Sequence, residues 1–156
     1  MVQFSKINTS FGRFGLYTNK NGIFRISLPN KHLELYKETD PKIFTKIHKM
    51  AIKELNEYFS RNRKKFDIPI YLNITPFYKM VLNEVTKIPF GKTVSYKEIA
   101  KKINHNKAYR AVGLANKNNP IPIIIPCHRV INNNGTIGGY GGGIQLKKKL
   151  LQFEFS

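Results

Sequence analysis

The chain contains one cysteine, Cys127, followed directly by a histidine and an arginine as Cys127-His128-Arg129. A thiol is a soft nucleophile, and it reacts as the thiolate. An imidazole beside it can take the thiol proton, and a guanidinium adds positive charge that favours the anion. The same residues also fit a small buried hydrophobe, the common fate of a lone intracellular cysteine. Adjacent side chains need not touch, so spacing alone leaves both readings open. A lone cysteine does exclude an internal disulfide and a cysteine-rich zinc site. The other soft ligands, His32, His48, His105 and His128, show no paired metal spacing. No metal and no cofactor are therefore expected.

The surroundings are cationic. The chain has 27 Lys and Arg against 9 Asp and Glu, a formal net charge of +18. Such a charge disfavours self-association and suits a polyanion, so the expectation is a monomer whose first candidate partner is nucleic acid. An anionic membrane surface is the second candidate and the weaker one. No apolar stretch approaches the roughly 20 residues that span a bilayer. The start, Met1-Val2-Gln3-Phe4-Ser5-Lys6, lacks the apolar core of a signal peptide. A cytoplasmic protein is expected, or a nuclear one if the source has a nucleus.

Those reactive residues need elements to hold them. Residues 2–37 mix apolar and polar types at short period, with breaks at Gly12, Gly15, Asn21-Gly22 and Pro29-Asn30. Asn21-Gly22 between Phe14–Tyr17 and Ile23–Leu28 predicts a hairpin in a small antiparallel sheet. Asp40-Pro41 predicts a helix start, with Ile43, Phe44, Ile47, Met50, Ala51, Leu55, Tyr58 and Phe59 on its buried face. Arg61-Asn62-Arg63-Lys64-Lys65 leaves that helix, and Ile68–Leu72 reads as a short strand.

Thr75-Pro76 predicts a second helix start, with Phe77, Met80, Val81 and Val85 buried. Ser95-Tyr96-Lys97-Glu98 fits a capping box before Ile99, Ala100 and Ile103. Another short helix, from about Lys107 to Lys117, follows the polar turn Asn104-His105-Asn106; Ala108, Ala111, Val112 and Ala115 are its small apolar contacts. Two short helices around a tight turn in a basic chain suggest a helix-turn-helix. Three prolines in Ile121-Pro122-Ile123-Ile124-Ile125-Pro126 argue against a central strand and for a rigid buried segment that delivers Cys127. After a Gly- and Asn-rich loop, Asn132–Gly143, a last helix from Ile144 to Phe155 has Leu146, Leu150 and Leu151 inward. The fold class is α/β (α+β): a small N-terminal antiparallel sheet with a helix, residues 1–73, and a helical C-terminal domain with a helix-turn-helix, residues 74–156.

Several stretches of the second half resemble one family. They are Ile88-Pro89-Phe90-Gly91-Lys92-Thr93-Val94-Ser95-Tyr96, Arg110-Ala111-Val112-Gly113, Asn118-Asn119-Pro120, Ile125-Pro126-Cys127-His128-Arg129-Val130 and Tyr140-Gly141-Gly142-Gly143, with Glu154 in the last helix. Their types and order resemble the O6-alkylguanine-DNA alkyltransferases over about residues 76–155. The N-terminal half matches only in general pattern.

The resemblance implies a DNA repair methyltransferase whose partner is double-stranded DNA containing alkylated guanine. Cys127 would accept the alkyl group from O6-alkylguanine, and from O4-alkylthymine, once per molecule as a suicide enzyme. His128 would remove the thiol proton through a water, and Glu154 would orient that imidazole. Tyr96 would donate to the leaving guanine and crowd a neighbouring phosphate. The target base would be flipped out of the duplex. Arg110 would fill the gap, Ala108, Ala111 and Gly113 would allow close approach in the minor groove, and Arg129 would face DNA. Asn119 would tie the proline-rich segment to the helix-turn-helix, and Lys147 has a counterpart near the active-site backbone. The backbone around Val130, Tyr140 and Gly141 would hold the base edge; relatives often carry Ser where Gly141 stands. Some relatives hold a structural zinc near the N-terminus, but its ligands are not visible in this sequence.

Taken without the resemblance, Glu154 reads as a solvated helix end, Arg110 as a surface charge and Tyr96 equally as a packing residue. Two rival functions follow from other classes. One is a non-catalytic alkyl-lesion-binding protein; the other is a cysteine hydrolase built on Cys127, His128 and Glu154.

Overall fold

The computed structural model describes residues 1–29, 31 and 36–156. The expected break at Asn30, residues 32–35 of the expected sheet region and His32 as a soft ligand lie outside the described residues. The chain divides into two compact units, Met1–Leu72 and Asn73–Ser156.

The first unit opens with three antiparallel strands in the order β1 (Gln3–Thr9), β2 (Gly12–Asn19) and β3 (Gly22–Ser27). The second hairpin closes with Asn19 opposite Gly22, so its turn residues are Lys20 and Asn21. Gly22 has φ +144, and a side chain there would meet the Pro69 carbonyl oxygen at 2.3 Å. That contact follows from the next feature. The expected strand Ile68–Leu72 reduces to one bridge, with Ile23 N–H donating to Pro69 O and Tyr71 N–H donating to Ile23 O. Pro69 lacks an N–H, which limits the ladder this segment can make.

The helix expected from Asp40-Pro41 splits. Asp40 caps only a 3-10 turn, Pro41–Ile43, and the true helix α1 (Lys46–Phe59) begins after Thr45, whose hydroxyl accepts from His48 N–H. Gln3 causes the break: its amide donates to Ile43 O and accepts from both Thr45 N–H and the Thr45 hydroxyl. Local capping signals gave way to a partner some forty residues away in sequence. Ile43 is consequently exposed instead of buried. The inner face of α1 is His48, Ala51, Glu54, Leu55 and Tyr58, so it carries two polar residues absent from the expected set.

Both polar intruders are satisfied. Glu54 accepts from Asp67 N–H and Ile68 N–H. The His48 ring lies between the Ser5 hydroxyl at Nε2, 2.7 Å, and the Thr18 hydroxyl at Nδ1, 2.8 Å. Burial lowers the His48 pKa to about 4. The unfolded chain, near 6.5, then takes up a proton before the folded one does. His48 therefore stabilises the fold fully above pH 6.5, and that contribution is lost as pH falls from 6.5 towards 4. Urea unfolding at pH 7 and pH 5 should show a loss of roughly 1–2 kcal/mol in the parent that is absent in His48→Gln.

The second unit begins with α2 (Pro76–Thr86), capped by Thr75. Its buried side is Val81, Leu82 and Val85; Met80, expected inside, is exposed, and Leu82 takes its place. Next come β4 (Val94–Ser95), α3 (Tyr96–Lys102), α4 (Tyr109–Lys117), a 3-10 turn Cys127–Arg129, β5 (Val130–Ile131) and α5 (Ile144–Phe155). Strands β4 and β5 pair in parallel, Val94 with Val130 and Ser95 with Ile131. The Ser95 hydroxyl accepts from Glu98 N–H and so starts α3. Helices α3 and α4 pack as the expected helix-turn-helix around Val112, Ala115, Ile99 and Ala100, all essentially inaccessible. Ala111 is on the exposed side of α4 instead. No helix of the described residues is long and apolar enough to cross a membrane.

Candidate active site

Residues 121–130 are buried without a break, so the proline-rich segment runs through the interior of the second unit. Ile123 takes φ 75, a left-handed conformation that a β-branched residue adopts only under strain. Side chains hold the segment there. Asn119 donates to Ile125 O at 2.8 Å and accepts from Ile121 N–H at 2.9 Å. Asn116, on α4, donates to Cys127 O at 3.1 Å. Asn116 escaped the sequence reading, although it sits one helical turn after Val112 and so on the inner face of α4. A polar residue at an inward position was the available signal.

Asn119→Ala should leave the Ile125 carbonyl and the Ile121 N–H without this partner. The expected cost is about 1–3 kcal/mol by urea unfolding, with faster labelling of Cys127 by a small thiol reagent as its segment loosens.

Cys127 is 5% exposed and opens the 3-10 turn. The turn carries His128 and Arg129 inward, and both meet Glu154 of α5. His128 Nε2 lies 2.8 Å from Glu154 Oε2. Arg129 donates through Nε to Oε1 at 2.8 Å and through Nη2 to Oε2 at 2.9 Å. Its remaining nitrogen, Nη1, donates to Ile88 O at 2.7 Å. The carboxylate can only accept, so His128 Nε2 bears hydrogen. In the neutral imidazole the basic lone pair is then on Nδ1, which has no hydrogen-bond partner among the described residues.

Two expectations change here. Arg129, expected to face DNA, is 5% exposed and commits its guanidinium to Glu154 and Ile88. Nor is Arg129 the cation that favours the thiolate; that charge comes from Lys147 of α5. Lys147 is fully buried and donates to Val130 O at 2.6 Å and to Gly139 O at 3.2 Å. Val130, expected to address the base edge through its backbone, thus gives its oxygen to Lys147 and its N–H to Cys127 O.

Burial decides the protonation states at rest. It raises the Cys127 thiol against the opposing effects of Asn119, Lys147 and Tyr140. Cationic surroundings therefore do not produce a standing thiolate. Burial also lowers His128, with Arg129 and Lys147 adding to it and Glu154 opposing. Burial brings Lys147 down to about 8. Burial alone would raise Glu154, but hydrogen bonds and charges from His128 and Arg129 hold it well below the usual carboxylate range. The site at rest is a thiol, a neutral imidazole and a closed Arg–Glu pair, which is the state a general base needs.

Tyr96, the first residue of α3, is half-buried. Burial raises its phenol, and Asn116 opposes that rise. Gly113 lies under its ring, since a Cβ there would stand 3.8 Å from it. Gly138, at φ 73, passes its hydroxyl, where an added Cβ would be 3.5 Å away. A Cβ at Gly113, expected to allow close approach to DNA, would be in ordinary van der Waals contact with the Tyr96 ring. Tyr140 is half-buried and Gly141 exposed on the same loop. On α4, Arg110, Ala111 and Leu114 form an exposed row, with Ala108 partly exposed before it. No group of three or more His, Cys, Asp or Glu side chains among the described residues could hold a metal ion.

Comparisons with known proteins cover both units. Residues 2–72 match the family described as 6-O-methylguanine DNA methyltransferase, ribonuclease-like domain, and residues 76–156 match its DNA binding domain. The Methylated-DNA--protein-cysteine methyltransferase of Methanocaldococcus vulcanius is 42% identical, over 96% of this chain and 94% of its own. That of Methanosarcina acetivorans is 49% identical over 68% of each chain. The crystal structure of Mycobacterium tuberculosis OGT in complex with DNA superposes with a TM-score of 0.88 at 37% identity, covering 98% of this chain and 92% of that one. The fold and site define a two-unit protein whose second unit carries a helix-turn-helix and one buried free cysteine. The chain belongs to the 6-O-methylguanine DNA methyltransferase family.

Proposed function

We propose that this protein repairs DNA by moving an alkyl group from guanine O6, and by the same chemistry from thymine O4, onto Cys127. The observation that carries the reading is the state of the site: a buried thiol one residue from an imidazole whose basic nitrogen has no hydrogen-bond partner among the described residues and whose other nitrogen is held by Glu154.

The chemistry balances as a single displacement. His128 takes the Cys127 proton through a water, and Glu154 balances the imidazolium. Sγ forms a bond to the alkyl carbon, the carbon–O6 bond breaks, and its electron pair returns to the guanine. The Tyr96 hydroxyl gives a proton to the base, which leaves neutral; the imidazolium proton then restores the phenol. A thioether remains, with no easy route back to thiol, so each molecule acts once. No cofactor enters.

The base must leave the stack to reach a buried sulfur. Arg110, beside Ala108 and Ala111 on the exposed side of α4, would fill the gap. Tyr140 and Gly141 would border the flipped base. Lysines of this unit would add salt-sensitive contacts to phosphates. Residues 74–156 thus serve as the DNA-binding and active-site domain and residues 1–73 as an N-terminal α/β domain. The protein works in the cytoplasm, or in the nucleus of a eukaryote.

Intact-protein mass spectrometry after incubation with duplex DNA containing O6-methylguanine tests this. One methyl group per molecule, located on the Cys127 peptide, is the expected result. DNA bound with no mass gain would return the non-catalytic lesion-binding reading, and repeated turnover on esters would return the hydrolase.

A further inference from the structure

The resemblance set Arg129 facing DNA, but it is 5% exposed with all three nitrogens bonded, which leaves a buried cation without that task. Its fork meets both oxygens of Glu154, and one of those oxygens, Oε2, is the one His128 uses. The guanidinium also lies over the Phe90 ring, 5.7 Å from its centroid. An Arg–carboxylate fork of this kind fixes the carboxylate plane as well as its charge.

Charge balance in the buried site gives the fork a consequence. Burial is the main cause that lowers His128; Arg129 adds to it and offsets the charge of Glu154, which would otherwise raise the ring. Without the guanidinium, Glu154 would be a buried anion whose nearest relief is a proton on His128. That proton would occupy the nitrogen needed to accept one from Cys127. The charged groups acting on His128 are Glu154 and Lys147 from α5 and Arg129 from its own turn. Lys147 gives its hydrogen bonds to Val130 O and Gly139 O, and its charge lowers His128 as that of Arg129 does.

We propose that Arg129 is a positioning residue for alkyl transfer: by neutralising and orienting Glu154, it keeps His128 an unprotonated base at neutral pH. The inference rests on the transferase reading, but fails separately from it. If the parent protein gains no methyl group on Cys127, the transferase reading falls. If the parent transfers normally, the following measurements judge Arg129 alone.

Single-turnover transfer rates would be measured from pH 5 to 9 for the parent, Arg129→Lys and Arg129→Met. The parent should hold its rate at pH below the ordinary imidazole range, because burial lowers His128. Arg129→Met should lose on the order of tenfold or more at pH 7 and recover as pH rises, because its acid limb moves up by at least about one unit. Arg129→Lys keeps the charge, so its acid limb should stay with the parent's even if its plateau is lower. A uniform fall of the Met variant at every pH would reduce Arg129 to a packing role and overturn the proposal. A Lys variant that shifts like the Met variant would overturn it too. Should Arg129→Met not fold, ring-nitrogen NMR of the parent decides, with the His128 signal assigned through His128→Gln. A neutral His128 at pH 7 is expected, and a protonated one overturns the proposal.

Discussion

Replacing Cys127 with Ala is expected to abolish alkyl transfer while DNA affinity and fold persist. The chain has no second cysteine to substitute for it. Lys147 is a conceivable alternative nucleophile, because burial brings its amine to about 8. Its nitrogen, however, is engaged as a donor to Val130 O and Gly139 O. The variant removes only one buried heavy atom, so the stability cost should be on the order of 1 kcal/mol. The exposed row on α4 and the surface lysines are untouched, so binding to duplex DNA and its salt dependence should remain. Mass spectrometry and a salt titration of binding check both halves. Methylation of the alanine variant at any residue would remove Cys127 from the mechanism. Loss of DNA binding would instead mean that the cysteine segment supports the interface.

Glu154→Gln should have the second largest effect, on stability and rate together. The carboxylate receives two bonds from Arg129 and one from His128 in a site where its side chain has no exposed surface. Removing its charge leaves the Arg129 guanidinium buried with one carbonyl and a neutral amide. Breaking a buried pair in this way costs about 3–5 kcal/mol. The catalytic loss has a separate cause. A glutamine amide can donate to His128 Nε2, and the ring hydrogen then moves to Nδ1, which removes the basic lone pair. A wrong tautomer of this kind slows a triad by on the order of 10³-fold or more. Urea unfolding measures the first effect and single-turnover quenching the second. Full transfer activity at reduced stability would take His128 out of its role as base. The same pair sets an acid limit for the fold. Glu154 titrates below its unfolded value of about 4.3, so its stabilisation is present above that pH and is lost as pH falls further.

Much of the site was legible because its chemistry is local. The single cysteine, its adjacent histidine and arginine, the Ser95 cap and the proline-rich run are all statements about neighbouring residues. Glu154 is different. It lies 26 residues from His128, and only the family resemblance, not the helix pattern, made it a partner. Asn116 turns towards the Cys127 carbonyl, a contact between α4 and the cysteine segment that helical spacing does not encode.

Read locally, the residues carry the polyanion-suited charge, a hairpin turn expected at Asn21-Gly22 that folds one residue earlier at Lys20-Asn21, the helix-turn-helix and one nucleophile. Each depends on composition, capping or periodicity, which act within a few residues. The tertiary structure alone decided where α1 begins, because Gln3 reaches Ile43 and Thr45 across the sheet edge. It also decided what Arg129 does: its partners Glu154 and Ile88 stand 25 and 41 residues away. Above all, it decided that the resting sulfur is a thiol. A charge count predicts a thiolate, but desolvation and the pairing of charges depend on what surrounds a group in space, and here burial outweighs the nearby cations.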